Sequence, residues 1–131
     1  MAADPGMNLN AIGQVALDVA DLDAAVEFYG GKLGLGLIGR FPPGLAFFDC
    51  GDVRLMVSAL SGGAPSGNSV MYFSVPDIRR GHEELKSRGV EFSGEPHMVH
   101  SADGYELLMA FFEDNEGNTL AIMEERGRLG G

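Results

Sequence analysis

Two stretches decide the fold: Gln14-Val15-Ala16-Leu17-Asp18-Val19-Ala20-Asp21-Leu22 and Val70-Met71-Tyr72-Phe73-Ser74-Val75-Pro76-Asp77-Ile78. Position for position, each is an alternating segment that ends in Val-x-Asp-(Leu/Ile). Val15, Leu17 and Val19 alternate with Gln14, Ala16 and Asp18, and Met71, Phe73 and Val75 alternate with Val70, Tyr72 and Ser74. A period of two predicts a strand with two distinct faces. Asp21 and Asp77 then stand where a helix N-cap belongs, because a carboxylate can accept from the free N–H groups of a first turn.

A helix is predicted after each aspartate. The first carries Leu22, Ala25, Val26 and Tyr29 at helical spacing and is expected to break at Gly30-Gly31; the second carries Ile78, His82 and Leu85 and stops at Gly89. Three strand-like runs follow each helix. In the first half they are Leu37 to Arg40, Leu45 to Cys50 and Val53 to Ala59, the last two joined by Gly51-Asp52, a tight hairpin signal. In the second half they are Val90 to Ser93, Tyr105 to Glu113 and Thr119 to Glu124, with Asp114 to Asn118 as the final turn. Ser61 to Gly67, rich in Gly, Ser and Pro, reads as a linker. The order is βαβββ, linker, βαβββ: an α+β chain of two tandem modules, about 11–60 and about 68–125, within one domain over 1–131.

Composition bounds the function. A chain of 131 residues holds one domain by a prior of about 150 residues each. Hydrophobic residues at 45% can fill a core, and no apolar run approaches the ~18 residues of a membrane-spanning helix. A net charge of −10 should repel nucleic acid and anionic membranes. The same acidity would favour a cationic ligand, or simply solvate the surface. The single cysteine, Cys50, permits no internal disulfide and fits a reducing compartment, so the cytosol is expected.

Parity sorts the faces. A two-residue loop at Gly51-Asp52 pairs Cys50 with Val53, Asp49 with Arg54 and Phe47 with Met56, which puts Phe47, Asp49, Arg54, Met56 and Ser58 on one face and predicts an Asp49–Arg54 ion pair. A three-residue loop in the second half would pair Phe111 with Ala121 and Met109 with Met123, and a slip of one residue would invert that face. Gln14, Ala16, Asp18, Val70, Tyr72 and Ser74 complete the surface. His97 and His100, three apart in a segment read as extended or loop, should point to opposite faces. His82 falls on the apolar stripe of its helix, where a core-edge histidine is expected. Cys50 should be an inert buried thiol.

The order and spacing of Val19-Ala20-Asp21-Leu22, Phe28-Tyr29 with Leu33-Gly34-Leu35, Leu85-Lys86-Ser87-Arg88-Gly89-Val90 and Asp114-Asn115-Glu116-Gly117-Asn118 resemble the vicinal oxygen chelate superfamily of glyoxalases, bleomycin-resistance proteins and dioxygenases. The resemblance implies curled mixed sheets enclosing a cup, commonly between the subunits of a homodimer. It also implies a divalent metal held by side chains at four strand positions, which fall here on Gln14, Met56, Val70 and Ala121. Of these only glutamine can offer a lone pair to a hard ion, so the expectation is no metal and no other cofactor.

Gln14, Asp18, Phe47, Met56, Tyr72, Met109, Phe111 and Met123 are then the expected ligand-binding residues of a metal-independent protein that sequesters an aromatic or cationic natural product, as an antibiotic-resistance protein does. Two alternatives stay open. These residues could merely fill the space between sheets, with Gln14 solvating an empty cavity. The chain could also be an enzyme of the glyoxalase, epimerase or dioxygenase type, with metal from other ligands or acid–base chemistry by Asp18, Tyr72 or a histidine.

Overall fold

The computed structural model describes residues 12–60 and 70–127, so the Ser61–Gly67 linker lies outside the described residues. The first module runs β1 (Gln14–Asp18), α1 (Leu22–Val26) continuing as π-helical turns over Glu27–Lys32, β2 (Gly36–Phe41), β3 (Leu45–Cys50) and β4 (Val53–Ser58). The second runs β5 (Met71–Ser74), α2 (Ile78–Ser87), β6 (His97–Ala102), β7 (Tyr105–Glu113) and β8 (Thr119–Gly127). Each module is a four-stranded mixed sheet, ordered β1-β4-β3-β2 and β5-β8-β7-β6, in which only the first and last strands run parallel. The α+β reading as two βαβββ units therefore holds, with both sheets open.

Alternation decides which side chains meet the helices. Val15, Leu17, Phe48, Leu55 and Val57 of the first sheet and Phe73, Leu108, Ala110, Phe112, Leu120 and Ile122 of the second point to the helix side and join one continuous core. The N-caps stand as expected: Asp21 accepts from Ala24 N–H at 3.0 Å and Asp77 from Arg80 N–H at 3.2 Å. The modules are clasped through the last turn. Buried Asp114 accepts the Tyr29 hydroxyl at 2.8 Å, and the Glu116 carboxylate accepts from Ala20 and Asp21 N–H at 2.8 to 2.9 Å.

Two local expectations are corrected. The first helix does not break at Gly30-Gly31 but widens, with Leu33 N–H reaching Phe28 C=O and Leu35 N–H reaching Tyr29 C=O. Gly30 permits this close course, since a Cβ there would stand 3.3 Å from the Phe48 ring. Val90 to Ser93 is not a strand. Val90 N–H is taken by Leu85 C=O at the end of α2, after Gly89 at φ +92°, and only a single bridge, Phe92 to Phe112, touches the sheet. The edge strand of the second sheet is instead His97–Ala102.

Candidate functional site

The side of each sheet away from its helix is the candidate surface. On the first sheet the registers Gln14↔Arg54, Ala16↔Met56, Asp18↔Ser58 and Phe47↔Met56 bring Gln14, Asp18, Phe47 and Met56 onto this face. On the second, Tyr72↔Ala121, Met109↔Met123 and Phe111↔Ala121 bring Tyr72, Met109, Phe111 and Met123 together. Phe47, Met56, Met109, Phe111 and Met123 are half-buried, while Gln14, Asp18 and Tyr72 are exposed.

Arg54 departs from the expected ion pair. It lies opposite Asp49 in register, yet its Nε donates to Gln14 Oε1 at 2.8 Å and its guanidinium lies 5.0 Å from the centroid of the Phe47 ring. Parallel pairing sets Gln14 directly beside Arg54, and an aromatic face attracts a flat cation that remains half in water. Gln14 completes its contacts by directing Nε2 at Met56 Sδ, 3.8 Å away. The glutamine that could have served as a ligand is thus engaged on both ends.

On the second sheet Ala121 has no exposed surface although it points away from the helix. Its register partners on the two sides are Tyr72 and Phe111, whose rings meet edge to face with centroids 6.3 Å apart. A small residue in the middle strand lets the flanking rings converge. Tyr72 keeps 46% of its surface in solvent.

The histidines are corrected as well. β6 carries an irregularity between Met98 and His100, so that His97 pairs with Met109 and His100 with Leu107. The extra residue, Val99, resets the alternation, and both imidazoles end on the face of Met109 and Phe111. His97 lies 6.3 Å from Phe111 and His100 lies 6.0 Å from Tyr105, centroid to centroid. The Tyr105 hydroxyl donates to Glu125 at 2.7 Å, and that hydrogen bond, with burial, raises the phenol above its ordinary value. Strict period-two counting cannot see a bulge, and the run His97-Met98-Val99-His100 carries no other sign of one.

His82 is buried, its ring 4.4 Å from that of Phe92, and Cys50 is half-buried on the helix side.

The architecture and these landmarks have known counterparts. Residues 11–122 match the model of the Glyoxalase/Bleomycin resistance protein/Dioxygenase superfamily. The chain belongs to that superfamily. YetH of Bacillus subtilis (strain 168) is 27% identical over 124 residues, covering 88% of this chain and 99% of its own. A solved glyoxalase/bleomycin resistance protein/dioxygenase from Nocardioides superposes with a TM-score of 0.69 at 26% identity over 97% of this chain and 89% of that one. Lactoylglutathione lyase from Agrobacterium tumefaciens gives 0.72 at 22% identity over 90% and 96%, a likeness of fold.

The superfamily's divalent metal can be tested against the residues present. Met56, Val70 and Ala121 offer one thioether and two hydrocarbons, and Gln14 is held by Arg54. A hard or borderline ion needs several nitrogen or oxygen donors, and this set does not supply them. Among the described residues no group of three or more His, Cys, Asp or Glu side chains is placed to replace them. Among the described residues, too, no helix is long and apolar enough to cross a membrane.

Proposed function

We propose that the protein is a metal-independent binding protein of the cytosol that holds a planar, apolar or cationic small molecule against the helix-distal sheet faces and so sequesters it. The observation that carries this reading is the second sheet. At the position where the superfamily would place a metal-binding carboxylate stands a buried alanine, flanked by Tyr72 and Phe111. A flat ligand can stack on these rings and on the His97 imidazole, with Met109 and Met123 as an adaptable floor. Asp18 and Asp49 on the first sheet and Glu125 on the second supply the negative charge that a cation prefers.

Both faces are open within one chain. A homodimer that brings the first face of one copy over the second face of another would cover Phe41, Phe47, Tyr72 and Phe111 and close a cup around the ligand. A metal enzyme of the superfamily is the less supported reading, because the donor set does not fit.

Titration with a planar tricyclic cation, followed by calorimetry and by methyl NMR at Met109 and Met123, tests the proposal. Tyr72→Ala and Phe111→Ala should each remove about 1–3 kcal/mol of binding energy, and Gln14→Ala less, since it deletes a single polar group. Sedimentation of the same samples should report a dimer. A stoichiometric Mn, Fe, Ni or Zn lost on Gln14→Ala would overturn the reading in favour of the enzyme.

A further inference from the structure

On the opposite side of the sheets, between the two modules, lies a cavity of about 220 Å³. Leu33 and Leu35 of the first module and Phe73, Phe112 and Ile122 of the second form its apolar walls, and Glu84 and Arg88 stand at its polar end. It shares no side chain with the helix-distal faces. An apolar cavity of about 150 Å³ is enough for one benzene ring, so this one takes a ring and a short substituent.

Gly81 forms part of the wall, and its presence there is not explained by packing. It occupies the interior of α2, where glycine weakens a helix relative to alanine. A Cβ built on it would lie 3.6 Å from Ile122 Cδ1 and 3.7 to 3.8 Å from the Val75 methyls, which are ordinary contacts. Alanine would fit and would favour the helix. What it would change is the room left in the cavity.

The charged side chains at the mouth are Glu84 and Arg88, one of each sign. Arg88 reaches across the junction, its Nη1 donating to Lys32 C=O at 3.2 Å and its Nη2 to Glu84 at 2.6 Å. It lies over Gly34, where a Cβ would stand 3.3 Å from Nη1 and where φ is +82°. The guanidinium keeps further N–H donors free for a second acceptor, as its five-donor fork allows.

We infer that this intermodular cavity is a second ligand site, independent of the cup, which takes a small carboxylate with a one-ring apolar body, the ring between Leu33, Phe73, Phe112 and Ile122 and the carboxylate on Arg88. Phenylacetate, with toluene as the uncharged control, is the probe for the full chain, read by methyl NMR and calorimetry. Phenylacetate should shift the methyls of Leu33, Leu35, Val75 and Ile122 and leave those of Met109 and Met123 in place. Failure of the cup reading would show at those two methionines and failure of this one would not.

Gly81→Ala should raise the melting midpoint of the free protein by a few degrees and weaken phenylacetate by about tenfold or more. Arg88→Gln should weaken phenylacetate about tenfold and leave toluene unchanged, because only the charge-assisted contact is lost. The proposal is overturned if Gly81→Ala binds phenylacetate as tightly as the parent. It is equally overturned if Gly81→Ala lowers the midpoint, which would make the glycine a packing requirement. Shifts confined to Met109 and Met123, or no shift at all, would mean that the cavity is internal space or filled by the chain itself.

Discussion

Phe48 and Phe112 occupy matching places on β3 and β7, and both are fully buried under the helices; their neighbours Phe47 and Phe111, one residue back on the other face, keep quite different company. Phe47 lies between Arg54 and Met56, and Arg54 is tied to Gln14. Phe111 lies between Tyr72 and His97 over Ala121. Large and small residues are exchanged as well, since Ala16 and Met56 in the first sheet stand where Tyr72 and Ala121 stand in the second. Close packing fixes size and apolarity on the helix side of both sheets, whereas the open side tolerates any residue that water or a ligand can satisfy. The two open faces therefore differ where the two helix-side faces agree, and under the proposed function the first would orient a ligand through polar groups and the second would stack on it.

The sharpest way to break this comparison is to attack its common half. Phe48→Ala and Phe112→Ala should each cost about 3–5 kcal/mol, the range for emptying a buried aromatic site. That is a large share of the roughly 5–15 kcal/mol that holds a domain together. Urea unfolding followed by far-UV circular dichroism should show one transition in the parent and in both variants, because the core is continuous and the Tyr29–Asp114 and Glu116 contacts cross between modules. A variant that loses only half its signal at low urea would mean that each module is a separate cooperative unit.

A smaller effect sharpens the same point at the clasp. Burial, followed by the charge and the hydrogen bond of Asp114, pushes the Tyr29 phenol far above its ordinary value. The folded chain thus holds this proton where the unfolded chain releases it. The stabilisation is complete below the ordinary tyrosine value of about 10 and is lost progressively as pH rises above it. Tyr29→Phe should cost about 1–3 kcal/mol at neutral pH, since it leaves a buried carboxylate oxygen short of one donor. The variant should also show a flatter loss of stability between neutral and strongly alkaline solution than the parent. Equal alkaline slopes would place the responsible group elsewhere; Tyr105, raised by its hydrogen bond to Glu125, is the other candidate.

Much of this was legible in the chain because each decisive element has a local cause. The Gly51-Asp52 loop, with Gly51 at φ +71°, fixes the pairing of Phe47 with Met56, and the Asp114–Asn118 turn fixes that of Phe111 with Ala121. Three features were not legible. The wide turns at Gly30-Gly31 depend on the Phe48 ring from a distant strand, and Arg54 chose Gln14 over Asp49 because a parallel neighbour forty residues away came within reach. The bulge at Val99 depends on how β6 meets β7 and leaves no periodicity to count, so the gathering of both histidines on the helix-distal face appears only in three dimensions.

The smallest expected effect concerns the caps, where the modules use the same device with different reinforcement. Asp21 and Asp77 each accept one first-turn N–H, and each helix start also receives a glutamate from the second module: Glu116 accepts from Ala20 and Asp21 N–H, and Glu124 from Ile78 N–H at 2.9 Å. Asp21→Ala and Asp77→Ala should therefore each cost about 1 kcal/mol, and the corresponding asparagines only a few tenths, because an amide oxygen still accepts. Glu124 separates the two. Hydrogen bonds from Arg126 and from Ile78 N–H hold its carboxyl below the usual carboxylate range, so its contribution is present above the ordinary glutamate value of about 4.3 and is lost as pH falls. In acid, Asp77→Ala should then become more damaging than Asp21→Ala if Glu124 is what keeps α2 anchored once its own cap is gone. Chemical denaturation of both variants at neutral and at acidic pH measures the difference, and an equal response would show that the two helix starts are energetically interchangeable.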